Sequence, residues 1–246
     1  MRPAAIILLF LLIPALLPAF NKDEAFNDRV YSVTSSQGLS DNNVLCALKD
    51  RYGFMWFGTA NGITLYDGST TQVYRNVLRN NTLHGNNNFP VVFPLGDNIW
   101  FGSGVGIVVY NRHTGLFSRF LKRTKYGVVI STQVKSIFQL HDGNILIGTM
   151  GQGVFLYDPQ KQLLKQDSHH GTFIQTITQD ESGRIFILDT NGKFTELPPK
   201  GNGCRSTRLP KANDGKSIYT MTCWKGHVWI ANGNQLLCFN PSNRSF

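Results

Sequence analysis

Short apolar runs, each four to six residues long, recur along the chain between turns rich in Asp, Asn and Gly. The clearest set reads Val44-Leu45-Cys46-Ala47-Leu48, a turn at 50–53, Met55-Trp56-Phe57-Gly58-Thr59, a turn at Asn61-Gly62, an aromatic-ended run at 63–66, then Asp67-Gly68. The same order returns around Ile99-Trp100-Phe101-Gly102-Ser103, Ile145-Leu146-Ile147-Gly148-Thr149, Ile185-Phe186-Ile187-Leu188 and Val228-Trp229-Ile230-Ala231. Runs of this length, bounded by Gly and Asp and rich in β-branched and aromatic residues, predict strands. No amphipathic helical spacing follows the first 20 residues.

With Trp56, Trp100, Leu146, Phe186 and Trp229 taken as equivalent, the steps are 44, 46, 40 and 43 residues. That period is the length of a four-stranded propeller blade. A single small antiparallel sheet cannot bury both faces, so the units must stack on one another. The expected fold is all-β: a β-propeller of about five four-stranded blades at residues 43–76, 89–120, 133–166, 172–197 and 217–246. An incomplete arc of a seven-bladed ring is the expected arrangement. The alternative is a five-bladed ring that residues 29–33 close as an outer strand.

The N-terminus follows a different pattern. After Arg2, residues 4–17 are almost wholly apolar, interrupted by Pro14 and followed by Asn21, Lys22, Asp23 and Glu24. This is shorter than the roughly 20 residues that span a bilayer, and it reads as a signal peptide over residues 1–20. The expected location is periplasmic, with membrane attachment only through a segment downstream of this sequence. Four cysteines, Cys46, Cys204, Cys223 and Cys238, are too scattered for a disulfide scaffold; a single Cys223–Cys238 bridge across neighbouring strands is the one pairing the spacing suggests.

Charge adds a hint about partners. The formal net charge is +9, which favours polyanions, and export makes nucleic acid the least suitable of them.

The string Gly38-Leu39-Ser40, Asn43-Val44, Asp50, Gly53 through Thr59, Asn61-Gly62 and Tyr66-Asp67-Gly68 resembles the opening blade of two-component regulator propellers. The resemblance covers residues 29–246, strongly in the first three blades and more weakly after Phe173. It implies the periplasmic sensor domain of a hybrid two-component system histidine kinase from gut Bacteroidetes-type bacteria, with an oligosaccharide ligand and a homodimer in the full-length family. In that family further blades, a membrane helix and a kinase follow, and this sequence is expected to be an N-terminal portion truncated before them.

Candidate chemistry is sparse. Trp56, Trp100 and Trp229 read first as blade-to-blade packing; Gly58, Gly102 and Gly148 read as positions where sheets approach closely. Asp50, Asp97, Asp142 and Asp180 recur where the first strand of each unit turns into the second, and Asx turns explain them better than acid/base catalysis. The adjacent His169 and His170 point to opposite faces of a strand, a poor start for a metal site. No catalytic residue, metal site or cofactor is expected. Propeller topology places the connections between blades and the second-to-third strand turns on one face, and that face collects Lys, Arg and Asn; the opposite turns collect Asp and Glu. A basic binding face is therefore expected, with Asn61, Arg79, Asn87, Arg123, Lys125, Gln152, Asn191, Lys211 and Asn232 as ligand contacts and an acidic oligosaccharide as the fitting partner. The competing readings are a glycan-active propeller lyase or hydrolase and a protein-interaction scaffold.

Overall fold

A computed structural model describes residues 32–75, 87–167, 171–199, 203–210 and 219–246. Leader residues 1–20 and most of the segment 29–33 lie outside them, and Ser32 and Val33 belong to no strand. The compact unit Val33–Phe246 holds five antiparallel sheets. The first contains β1 (Val44–Lys49), β2 (Met55–Thr59), β3 (Gly62–Tyr66) and β4 (Thr71–Tyr74). The second contains β5 (Val91–Leu95), β6 (Asn98–Ser103), β7 (Gly106–Asn111) and β8 (Leu116–Arg119). The third contains β9 (Gln133–Gln139), β10 (Ile145–Met150), β11 (Val154–Asp158) and β12 (Leu163–Asp167). The fourth contains β13 (Ile174–Gln179), β14 (Ile185–Asp189), β15 (Lys193–Leu197) and β16 (Arg205–Arg208). The fifth contains three strands: β17 (Tyr219–Trp224), β18 (His227–Asn232) and β19 (Gln235–Phe239). No helix among the described residues is long and apolar enough to cross a membrane.

Each sheet is a meander in sequence order, and successive sheets pack through their first two strands: β1 on β5, β5 and β6 on β9, β9 and β10 on β13, β13 on β17. Among the described residues β17 makes no comparable contact with β1, so the blades form an open series. Successive side chains of a strand point to opposite faces, and this explains why the second strands are apolar throughout. In β6, Ile99 and Phe101 join the cluster shared with blade one, while Trp100 joins the cluster shared with blade three. In β10, Ile145 and Ile147 face blade two and Leu146 faces blade four. The core is thus four seams, one per pair of neighbouring blades.

Glycines set the seam width. A Cβ on Gly58 would lie 2.4 Å from the Phe89 carbonyl oxygen, and one on Gly102 would lie 2.7 Å from that of Val134. On Gly148 it would meet the Ile174 methyl at 2.6 Å. All three sit two residues after the Trp position, on the face turned to the next blade. Blade four carries buried Leu188 there, which fills the seam instead of narrowing it.

Two expectations need correction. Residues 205–208 fall between the expected fourth and fifth blades, 172–197 and 217–246, yet they form the outer strand β16 of blade four, whose four residues are all exposed and give no apolar pattern to find. Cys223 and Cys238 are free. They lie on β17 and β19 with β18 between them; at about 4.8 Å per strand they are roughly 10 Å apart, beyond the ~7 Å reach of a disulfide.

Candidate functional site

On the face expected to bind, a buried hydroxyl closes each of the first three turns between second and third strands. Thr59 Oγ1 donates to the Gly62 carbonyl at 2.9 Å, Ser103 Oγ to that of Gly106 at 3.0 Å, and Thr149 Oγ1 to that of Gly153 at 2.7 Å. The same oxygens accept from the backbone N–H groups of Asn61, Val105 and Gln152. In blade four Asp189 substitutes a carboxylate, accepting from the N–H groups of Asn191 and Lys193. These residues escaped the sequence reading, although their place directly after Gly58, Gly102 and Gly148 marks them.

Of the nine residues expected to form one basic binding face, seven lie among the described residues. Arg79 and Lys211 lie outside the described residues. Asn61 and Asn87 meet, the Asn87 amide donating to Asn61 Oδ1 at 3.3 Å. Gln152 is a clamp: its Oε1 accepts from the backbone N–H groups of Ser131 and Thr132, and its Nε2 donates to the Val129 carbonyl. Asn232 is fully buried and donates to the Pro210 carbonyl at 2.7 Å. Asn191 is exposed, and its backbone N–H donates to Asp189 Oδ1.

Arg123 and Lys125 are displaced to the outer rim. The connection from blade two to blade three leaves from buried Phe120, returns at buried Ile130, and between them runs out along β12, where Thr124 bridges Leu164 in parallel. The edge of an outer strand is otherwise unpaired, and this strap covers part of it; Leu164 is 1% exposed beneath it. Lys122 Nζ fastens the strap to Gln162 Oε1 at 2.6 Å. Its tip is a rigid turn: Thr124 Oγ1 accepts from the N–H groups of Tyr126 and Val128, Gly127 N–H donates to the Thr124 carbonyl, and the Arg123 guanidinium donates to the Gly127 carbonyl. Between this tip and β12 lies a cavity of about 650 Å³, bordered by Thr124, Lys125, Tyr126, Leu163, Lys165 and Gln166.

The opposite turns are not the bare acidic face that charge counting suggests. Asp50 accepts from the N–H groups of Tyr52 and Phe54, from Trp56 Nε1 at 2.7 Å, and from Arg112 of the neighbouring blade. Burial opposes its charge, but the bonds from Arg112, Trp56 and Tyr52 prevail and hold its carboxyl below the usual range. Asp180 is held down in the same way: against burial, it accepts from Ser182 and from Arg184, whose Nε lies at 2.7 Å. Asp142 accepts from the Asn144 N–H. Asp97 departs from the expected Asx turn. Its turn between β5 and β6 is only Gly96-Asp97, so its carboxylate reaches sideways to His113 Nε2 at 3.1 Å and to Arg51.

The remaining chemistry is structural. A second cavity of about 300 Å³ between Phe194, Arg205, Phe239 and Phe246 is crossed by the Arg244–Glu196 ion pair at 3.0 Å. Burial pushes the Cys46 thiol up to about 12, which leaves it unreactive at neutral pH. Among the described residues no group of three His, Cys, Asp or Glu could hold a metal ion; His169 and His170 lie outside them.

Blade one shows what its recognisable segment builds. Ser40 sits in a buried hydroxyl cluster, its N–H donating to Thr64 Oγ1 at 2.8 Å and its Oγ lying 2.9 Å from Thr59 Oγ1. Asp50 ties the first turn to Trp56, Gly58 admits blade two, and Thr59 closes the inner turn. Residues 38–61 match the family model described as two component regulator propeller. None of the curated protein sequences matches the chain. The extracellular domain assigned to the hybrid two component system BT3049 from B. thetaiotaomicron is similar over 88% of this chain and 31% of its own, at 21% identity and TM-score 0.74. That of BT4673 from the same organism is similar over 84% and 30%, at 19% identity and TM-score 0.66. An inactive virginiamycin B lyase from Staphylococcus aureus shares the fold at 15% identity and TM-score 0.59, over 83% of this chain and 69% of its own. The chain spans about a third of the length of the first two relatives. The chain has a β-propeller fold, and residues 38–61 of its first blade match the two component regulator propeller model.

Proposed function

We propose that the chain is the ligand-sensing part of an extracytoplasmic two-component sensor and that its ligand is an oligosaccharide. The observation that carries this reading is the joint presence of the regulator repeat at residues 38–61 and a fold shared over 88% of the chain with the extracellular domain of a hybrid two component system. The role is sensing rather than catalysis: the buried carboxylates of Asp50 and Asp180 are bonded to Arg112, Arg184 and backbone N–H groups, which ties them into the turns. The net charge of +9 favours acidic over neutral sugars. Ligand binding to a series of stacked blades acts on signalling by favouring one arrangement of the blades over another, to the extent of its differential affinity for the two.

The test is thermal shift and calorimetry of the exported chain with neutral and uronate-containing oligosaccharides of matched length at low and high salt. Acidic oligosaccharides should bind with an affinity that falls as salt rises. Absence of binding by any saccharide would overturn the reading.

A further inference from the structure

The rim cavity beside β12 brings several recognition groups together. Tyr126 is 81% exposed although the turn beneath it is tightly bonded, so its ring is held out by a rigid base. Lys125 Nζ lies 4.7 Å from the ring centroid. Among the described residues neither Lys125 nor Lys165 has a carboxylate partner, whereas nearby Lys122 is bonded to Gln162 and Lys161 to Asp158. Gln166 Nε2 donates to the Gln152 carbonyl at 2.9 Å, which orients its amide and leaves Oε1 to accept. The half-exposed Leu163 gives the cavity an apolar surface. Its volume, about 650 Å³, falls within the range of small-molecule sites.

These groups match one chemistry. An aromatic face carries negative quadrupole charge and favours the slightly positive C–H face of a pyranose ring; two ammonium groups favour a carboxylate or sulfate; a fixed amide oxygen favours a hydroxyl donor. We propose that the rim cavity formed by Tyr126, Lys125, Lys165 and Gln166 binds an anionic saccharide unit, with the sugar ring on Tyr126 and its acid group between the two lysines. The proposal rests on the oligosaccharide-sensing reading above and locates its ligand at the outer edge of blade three, away from the Asn61–Asn87 pair. It also gives the strap a second role, since one excursion of chain both covers a strand edge and builds a binding wall.

The experiment is calorimetric titration of the full chain with an oligogalacturonate, a neutral oligosaccharide of equal length and polyglutamate. Tyr126→Ala should weaken oligogalacturonate binding about tenfold, and Tyr126→Phe should stay within about twofold of the parent. Lys125→Gln with Lys165→Gln should remove most of the salt dependence. Arg205→Gln, at the other cavity, should leave binding unchanged, and thermal midpoints of all variants should match the parent because the altered side chains are exposed. If the parent binds and Tyr126→Ala binds equally well, the rim location is overturned while oligosaccharide sensing stands. Polyglutamate binding as tight as oligogalacturonate would overturn the saccharide class at this cavity. A parent chain that binds none of the sugars removes the sensing reading, and this proposal with it.

Discussion

Trp56 and Trp229 occupy the same register of the second strand in the first and fifth blades, yet their surroundings differ. Trp56 is fully buried, its ring 4.9 Å from Tyr110 and 5.7 Å from Phe101 of the next blade, and its indole N–H donates to Asp50. Trp229 is half-buried, its nearest aromatic partner is Trp224 of its own blade, and its Nε1 has no acceptor among the described residues. In blade five the hairpin between β17 and β18 is only Lys225-Gly226, and Trp224 stands where blade one has Asp50. The same ring is therefore a seam residue in one place and an open face in the other. What separates them is a following blade and one aspartate in the preceding turn.

The largest way to break this contrast is Trp56→Ala, which should destabilise by about 3–5 kcal/mol in chemical denaturation because it empties a packed seam. Asp50→Ala comes next, at roughly 3 kcal/mol, since it leaves the shielded Arg112 and the Trp56 N–H without their acceptor. The same pair predicts a pH dependence. The folded pKa of Asp50 is depressed, so its contribution is complete above the unfolded value of about 3.9 and is lost as pH falls through the folded value. Acid titration of stability should therefore show a drop below about pH 4 that is shallower in Asp50→Ala. Gly58→Ala should cost about 2 kcal/mol, because the new methyl meets a backbone carbonyl that cannot move aside. Blade five already carries Ala231 at this register, and Ala231→Gly should change stability by only about 0.5–1 kcal/mol through backbone entropy. Trp229→Ala should be comparably mild, about 1 kcal/mol, in proportion to its partial burial. Equal losses at Trp56 and Trp229 would erase the distinction between seam and open face.

The middle blades were legible in the sequence because their second strands are packed on both faces, so Ile-Trp-Phe and Ile-Leu-Ile leave no solvent side to break the pattern. Strand β16 was not legible because Arg-Ser-Thr-Arg borders solvent throughout and is held by backbone pairing with β15. Of the turn aspartates, Asp50, Asp142 and Asp180 accept backbone N–H groups within five-residue connections, while Asp97 is freed by a two-residue turn whose brevity shows only when strand ends are known. The candidate site was harder still. Topology settles on which face a connection between blades begins and ends but says nothing of its path, and the path carries Arg123 and Lys125 to the rim. Gln152 and Asn232 look like recognition residues because amides serve sugars and backbone alike; their partners decide, and both donate to main-chain carbonyls. Tyr126, an aromatic between Lys125 and Gly127 outside every repeat, was the overlooked signal.

The hydroxyls of Thr59, Ser103 and Thr149 hold their turns shut from within, and what lies between hydroxyl and carbonyl differs in each case: Ala60-Asn61, Gly104-Val105, and the three residues at 150–152. Each such turn is a socket with a standard fitting and an exchangeable tip. Two or three residues at such a tip can be exchanged, and what this end of the molecule presents altered, without changing how the sheets stack on one another.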